Sequence, residues 1–403
     1  MMKIYFESYG CTLNKSEAGL YVNSLLKDGS TLVDNPADAD LSVISTCVVI
    51  KHTENRMLSR IQELSSKSKV RVMGCLPPVS AGTLESDSIE VLHPREMRAF
   101  YYGALDDIEI REPSIFDGIP INQGCTGNCN FCISRVARGK LISRPVSKIA
   151  SQVRMQIERG IGEVRISSLD TAAYGKDTGV RLPNLIREIC SIEGDFMLRV
   201  GMMEPRNTFE IVDDLLNSYS DPKVFRFLHL PVQSGDDRIL ESMNREYKLD
   251  EFLKITEKFR NSYPDGTLST DIISGYPEDD EESFQNTLNM LERTKPEIVN
   301  ITRFSPRQYT KDFIRKVPDS GKVKRWTAEY TEMHRNIIKE RMENLIGRTE
   351  SIFLTERVKD GTTMGRDQSY RAVVVPGEHP LYSRIDVELV DHGGTYLIGK
   401  PLI

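Results

Sequence analysis

The sequence predicts an α/β protein in three parts: a small parallel-sheet domain, a partial (βα)6 barrel and a small all-β barrel. Three observations predict it. Short β-branched runs alternate with helical stretches from Lys3 to about Ile110. The alternation resumes on a larger scale from about Phe116 to Lys339. The remainder carries closely spaced strands separated by Gly and Pro, with no helical pattern between them. The expected domains are residues 1–110, 111–341 and 344–403.

Bulk properties agree. A chain of 403 residues exceeds one ordinary core. With 39% hydrophobic and 28% charged residues, it reads as a water-soluble protein. No apolar run approaches the ~18 residues a bilayer span needs, and Met1 to Phe6 lead straight into a strand pattern. A cytoplasmic protein with no membrane partner is therefore expected, and its seven cysteines are expected as ligands or catalysts rather than disulfides.

In the first part, Lys3–Ser8, Leu41–Ser45 and Val70–Met73 read as strands by length and β-branched content. Helices at about Ser16–Leu26 and Thr53–Leu64 separate them, the order of a Rossmann-like or flavodoxin-like sheet. Cys11, Cys47 and Cys75 each fall just past the carboxyl end of one of these strands. In an open parallel sheet those ends share one crevice, so the three thiols are expected to meet. Three unrelated buried cysteines are the alternative. Cys190 lies on a helical pattern and reads as a packed core thiol.

In the second part, strands are expected at Glu163–Ser167, Phe196–Val200, Val224–His229, Thr267–Ile273 and Ile298–Phe304. Helices are expected at about Val146–Glu158, Leu182–Ser191, Thr208–Leu216, Arg238–Met243, Leu249–Arg260 and Asp280–Glu292. A barrel built this way places its chemistry at the carboxyl ends of the strands. A helix of mixed charge, about Trp326 to Asn344, leads to the last strands: Gly347–Thr355, Gly361–Gly365, Tyr370–Val375, Arg384–Val390 and Tyr396–Gly399.

Ahead of the barrel stands the most specific motif, Cys125, Cys129 and Cys132 in C-x₃-C-x₂-C spacing, with Phe131 before the last cysteine. An iron–sulfur cubane commonly takes four thiolates, so three leave one iron open to a ligand. This spacing is the signature of reductive S-adenosylmethionine (SAM) chemistry, and Gly124 and Gly127 let the loop wrap tightly. A zinc or structural site is the alternative reading.

Charge bears on the partner. The net charge is −6, yet Ile133 to Lys148 holds Arg135, Arg138, Lys140, Arg144 and Lys148 with no acid. A second basic stretch runs from Arg303 to Arg325. The first, beside the cysteine loop, is expected to contact nucleic-acid phosphates through Arg135, Arg138, Lys140 and Arg144.

These motifs, with Tyr9-Gly10-Cys11-Thr12-Leu13-Asn14, Ser45-Thr46-Cys47, Gly74-Cys75, His229-Leu230-Pro231-Val232-Gln233-Ser234-Gly235, Thr270 to Pro277 and Phe304-Ser305-Pro306-Arg307, resemble the radical-SAM methylthiotransferases over essentially the whole chain. The resemblance implies an N-terminal methylthiotransferase domain, a radical-SAM core and a C-terminal TRAM barrel, to which Gly365-Arg366-Asp367 is similar. It implies two 4Fe-4S clusters, one on each cysteine triad, with SAM at the open iron of the Cys125 triad. The Cys11 triad would carry the inserted sulfur, which a second SAM methylates. An electron donor and a sulfur source are implied, of identity the sequence leaves open.

For SAM, the resemblance points to Phe131, Ser168, Asp170, Arg199 and Gln233. The family usually carries Gln near Leu169, and Leu offers no hydrogen-bond acceptor. Asp170, a backbone carbonyl, or an alignment shifted by one residue would supply it; Asp170 is equally a helix N-cap. His229 reads as a packed histidine.

The stretch from Cys11 to Glu17, with Ile133 to Gly139, is similar to the archaeal and eukaryotic branch acting on N6-threonylcarbamoyladenosine at tRNA position 37. Isopentenyladenosine in tRNA and an aspartate of a ribosomal protein are the alternative substrates. The last segment, Asn344 to Ile403, has seven Lys/Arg against eight Asp/Glu, which leans away from RNA. The rival of a different class is a non-catalytic zinc protein that binds RNA.

Overall fold

The computed structural model describes residues 1–94, 96–97, 111–112, 118–359 and 361–402. The expected boundary near residue 110 and the start near Phe116 lie outside the described residues. The chain forms two compact units. One comprises Met1–Gln156, Arg165–Gly179 and Ser305–Arg315; the other comprises Ile157–Val164, Val180–Phe304 and Lys316–Ile403.

The first unit is built on five strands: β1 (Lys3–Ser8), β2 (Thr31–Leu32), β3 (Leu41–Thr46), β4 (Lys69–Gly74) and β5 (Ile89–Val91). They run parallel in the order β2-β1-β3-β4-β5, the flavodoxin-like arrangement. Sequence reasoning found the three central strands and missed β2 and β5, whose two and three residues are too short to show a period.

β3 is buried along its whole length, and its alternation decides what packs where. Val43 joins Ala18, Leu20 and Val22 of helix Thr12–Lys27. Ile44 joins Ile61 and Leu64 of helix Lys51–Ser65 in a separate cluster. The two helices therefore cover opposite faces, and the winding reverses between β1 and β3. At such a switch point the strand ends open into a crevice.

The same unit contains β6 (Ile119–Pro120), parallel to the end of β9 (Glu163–Ser167) through Ile119 and Ile166. Between them, β7 (Asn122–Gln123) and β8 (Ile142–Ser143) pair antiparallel. This two-residue clip closes the loop that carries Cys125, Cys129 and Cys132.

The second unit continues the βα series with β10 (Met197–Val200), β11 (Phe227–His229), β12 (Thr267–Ser274) and β13 (Ile298–Arg303). The last three form a parallel sheet. The helix expected over Thr208–Leu216 is two short helices, Pro205–Phe209 and Val212–Ser218, because Ile211 leaves helical geometry at φ −125° and ψ 8°. Helix Ser320–Glu343, capped by Asp319 on the Gly321 and Lys322 N–H groups, leads to the final strands. These are β14 (Thr349–Lys359), β15 (Thr362–Arg366), β16 (Ala372–Pro376), β17 (Arg384–His392) and β18 (Leu397–Pro401), a closed five-strand barrel. No helix among the described residues is long and apolar enough to cross a membrane.

Candidate active site

The first unit holds both cysteine triads. Cys11 follows β1 and is the N-cap of helix Thr12–Lys27, with its carbonyl accepting the Lys15 N–H. Cys47 follows β3, and Cys75 follows β4. Two glycines let these strand ends close up. Gly10, at φ +100°, would place a Cβ 2.9 Å from the Cys47 Cβ. Gly74, at φ +94°, has no room for a Cβ beside the Thr46 carbonyl, and the next residue, Cys75, donates its N–H to that carbonyl at 3.0 Å.

The thiols sense one another. Cys11 is exposed, yet desolvation pushes its thiol up to about 11, with Cys75 the next contributor. Burial raises the Cys47 thiol as well, and Cys75 adds to it.

The second triad sits on a loop that the backbone holds rigidly. Gly124, at φ +76°, leaves no space for a Cβ against the Lys140 carbonyl. Cys125 donates its N–H to the Gly139 carbonyl at 3.1 Å. The Gly127 N–H points at the Cys125 sulfur, 3.2 Å away, and a Cβ on Gly127 would lie 3.4 Å and 3.8 Å from the Cys125 and Cys129 sulfurs. Cys132 bonds back to the Cys129 carbonyl at 3.3 Å and N-caps helix Ile133–Arg138. Desolvation, and next Asp170, push the Cys125 thiol up to about 12.

Three thiols around a glycine-lined loop, one receiving a backbone N–H, suit an iron–sulfur cluster with one open iron.

Arg138 joins the two triads. It ends the helix that begins at Cys132, and its Nε donates to the Cys75 sulfur at 3.3 Å. Its other nitrogens donate to Glu17 and to the Asn14 side-chain oxygen Oδ1. Gln123 donates to the second Glu17 oxygen at 2.9 Å, and Asn14 donates to the Thr46 carbonyl at 2.8 Å. Burial works against the Arg138 charge, but Cys75 and Glu17 outweigh it and hold the group protonated. Sequence reasoning missed Glu17 and Asn14 as site residues. Their signal was available: Cys11, Asn14 and Glu17 at i, i+3 and i+6 share one helix face.

This corrects the expected basic surface. Arg138 is 2% exposed and Arg144 is 3% exposed. Arg144 donates to the Pro120 carbonyl at 2.6 Å and to Gln152 at 3.1 Å, bracing β6 and helix Val146–Glu158. Both charges satisfy interior acceptors, which a linear charge count does not reveal. Arg135 and Lys140 are exposed.

Among the residues expected near SAM, Ser168 and Asp170 follow β9 and form a network with Asn122. Ser168 bonds the Asn122 side chain, and Asn122 donates to the Asp170 carbonyl at 3.2 Å. The Asp170 carboxylate caps Thr171–Ala173 by accepting the Ala172 N–H. Phe131 is half-buried between Cys129 and Cys132, and Leu169 is half-buried beside Asp170. Arg199 and Gln233 belong to the second unit. There the Arg199 guanidinium lies 4.8 Å from the Phe227 ring centre and 5.2 Å from that of Tyr370. Gln233, at φ +75°, exchanges backbone hydrogen bonds with β12. His229 pairs with Asp271 at 3.1 Å.

The βα series and the three-thiol loop define a radical-SAM enzyme, a class that uses SAM and a 4Fe-4S cluster. Residues 119–291 match the Radical SAM superfamily, and residues 3–92 match Uncharacterized protein family UPF0004. The chain is 35% identical to the probable threonylcarbamoyladenosine tRNA methylthiotransferase of Archaeoglobus fulgidus, across 99% of this chain and 98% of that one. It is 33% identical to that of Methanothermobacter thermautotrophicus, across 98% and 99%. The human threonylcarbamoyladenosine tRNA methylthiotransferase is 28% identical, across 100% of this chain and 74% of the human one. The chain belongs to the threonylcarbamoyladenosine tRNA methylthiotransferase family. In fold it resembles the radical S-adenosylmethionine methyltransferase TsrM of Kitasatospora setae, with TM-score 0.57 and 12% identity across 78% of this chain and 77% of that one.

Proposed function

We propose that this chain transfers a methylthio group to C2 of N6-threonylcarbamoyladenosine at position 37 of tRNA. The observation that carries this reading is the pair of three-cysteine sites in one compact unit, connected through Arg138. Cys125, Cys129 and Cys132 would hold the cluster that binds SAM; Cys11, Cys47 and Cys75 would hold a second 4Fe-4S cluster and the sulfur. When bound, the first cluster and SAM supply a radical able to abstract hydrogen from carbon. The protein's own part is positional. Gly124 and the clip of β7 and β8 fix the Cys125 loop, Gly10 and Gly74 gather the Cys11 triad, and Arg138 ties the two.

On this reading residues 1–110, 111–341 and 344–403 are the methylthiotransferase, radical-SAM and TRAM domains. Ser168 and Asp170 neighbour the SAM site, and Arg135 and Lys140 meet RNA phosphates. The electron donor and the sulfur source are separate partners in a cytoplasmic reaction. Mass spectrometry of tRNA nucleosides from a strain lacking the chain tests the reading. The 2-methylthio derivative should vanish and its unmodified precursor accumulate; an unchanged level would sink the proposal. Iron should reach roughly eight per chain for two cubanes, and roughly four after Cys→Ala exchange in either triad.

A further inference from the structure

The second basic stretch, Arg303 to Arg325, contributes no cysteine to either triad. Its residues Ser305–Arg315 belong to the first unit and are anchored there at two points. Arg307, buried, pairs through Nη2 with one oxygen of Glu54, whose other oxygen accepts the Lys51 ammonium at 3.0 Å. Asp312, also buried, donates its N–H to the Asn130 carbonyl at 3.3 Å, and its carboxylate accepts Arg315 at 3.2 Å. Glu54 lies on the helix whose Met57 sulfur accepts the Cys47 N–H at 3.2 Å, and Asn130 lies between Cys129 and Cys132. The two anchors therefore stand beside the two cysteine sites.

Between the anchors the chain becomes exposed. The Thr310 N–H closes a turn on the Arg307 carbonyl at 3.1 Å, which puts Tyr309 at the third position of that turn with φ +70°. This conformation suits Gly or Asn, and a bulky side chain there is strained. Tyr309 is nevertheless 61% exposed, so burial does not offset the strain. Strain kept at an exposed aromatic points to a function for its ring.

Charge selects what the ring meets. Residues 49–56, 133–140 and 305–315, the segments that carry or follow the anchors, contain two carboxylates, Glu54 and Asp312, and both are buried against arginines. Lys51, Arg56, Arg135, Lys140 and Lys311 are exposed on the same segments. Exposed cations, no exposed carboxylate and a projecting aromatic suit unpaired RNA, whose phosphates meet the cations and whose splayed bases meet the ring. A duplex offers the phosphates without a free base face.

We propose that Tyr309 stacks on an unpaired base that neighbours the target adenosine, with Lys311 on an adjoining phosphate. This deepens the tRNA reading above and rests on it. Stacking tolerates any base, so Tyr309 selects unpaired RNA over duplex rather than one sequence over another.

The test measures binding by the full, cluster-loaded chain of an anticodon stem–loop RNA carrying 2-aminopurine beside the target adenosine, with a fully paired RNA duplex as control. Tyr309→Gly should weaken stem–loop binding about tenfold and abolish the quenching of 2-aminopurine, while Tyr309→Phe keeps both. Duplex binding should be equal in the parent and Tyr309→Gly. Lys311→Ala should flatten the salt dependence by about one phosphate contact, and Tyr309→Gly should leave it unchanged. Glycine relieves the left-handed turn, so thermal stability should not fall, which separates lost stacking from lost folding. Should Tyr309→Gly fold poorly, Tyr309→Asn, which the turn also accepts, takes its place. Equal stem–loop affinity in the parent and the ring-deleted variant would overturn the inference, as would an equal loss in Tyr309→Phe. Phe313 and Ile314 are exposed on the same segment, so a protein partner is the competing occupant. Unchanged RNA binding with slower reduction of the clusters by reduced ferredoxin would assign the segment to it and refute stacking. Nucleoside mass spectrometry reads methylthiolation independently of all these outcomes. A parent that binds neither RNA would sink the tRNA reading, and the inference with it.

Discussion

Arg138 donates a hydrogen bond to the sulfur of Cys75 at 3.3 Å from the last turn of a helix whose N-cap is Cys132. A residue six positions past the first cysteine motif thus supports the second. The arrangement makes the two triads mechanically dependent, since moving helix Ile133–Arg138 moves a cation against Cys75. The following residue, Gly139, accepts the Cys125 N–H, so the same short segment also anchors the start of the motif.

The Arg138–Glu17 pair has both side chains 1% exposed, so removing one partner strands a buried charge. Arg138→Met is expected to destabilise the apo chain by about 3–5 kcal/mol. Changing Glu17 to Met as well should recover most of that loss. Urea denaturation of the single and double variants measures it, and a double variant no better than the single would refute the pairing argument.

Gly124→Ala should abolish iron at the Cys125 triad and spare the other. Its φ of +76° and the Lys140 carbonyl both exclude a side chain. The strain of a left-handed non-glycine residue, about 1–3 kcal/mol, adds to a direct overlap, so the loop must open. Iron and sulfide assays of the variant, against Cys11→Ala as the complementary loss, report the outcome. Full iron loading would show that the loop tolerates the change.

The proposed RNA contacts divide by burial. Arg135→Ala and Lys140→Ala should each weaken tRNA binding and flatten the salt dependence by about one phosphate contact. Arg144→Ala should leave the slope alone and lower stability by about 1–3 kcal/mol, because Pro120 and Gln152 lose their donor. Binding isotherms at several salt concentrations separate the two behaviours; a slope change for Arg144→Ala would contradict them.

Asp279 supplies a pH signature in the second unit. Desolvation pushes its carboxyl up to about 6, even though the Tyr276 and Gly275 N–H groups bond to it at 2.9 Å. Its folded value exceeds its unfolded value, so its contribution is fully present below about pH 4 and is lost as pH rises through about 6. The difference is on the order of 3 kcal/mol. Asp279→Asn should remove this slope from stability measured between pH 4 and pH 7. An unchanged slope would place the titration elsewhere.

The strands β1, β3 and β4, the helices between them, and the βα series were legible because each buries one face with a regular period. β2, β5, β7 and β8 were not, since two or three residues carry no period and owe their existence to neighbours. The break at Ile211 was invisible for the same reason: local preference favours one helix, and packing divides it.

What the sequence determined by itself was the chemistry: three thiols in C-x₃-C-x₂-C spacing, three more at strand ends, and the parallel-sheet order that gathers them. Covalent spacing and hydrophobic period are local quantities, and a linear reading reaches them. The tertiary structure decided which charges serve that chemistry. Arg138 and Arg144 read as surface cations and proved to be interior braces, while Arg307 came from the far end of the barrel sequence to pair with Glu54 in the first unit. A charge acts according to what desolvates and faces it, and for Arg307 that partner, Glu54, lies 253 residues away in the chain.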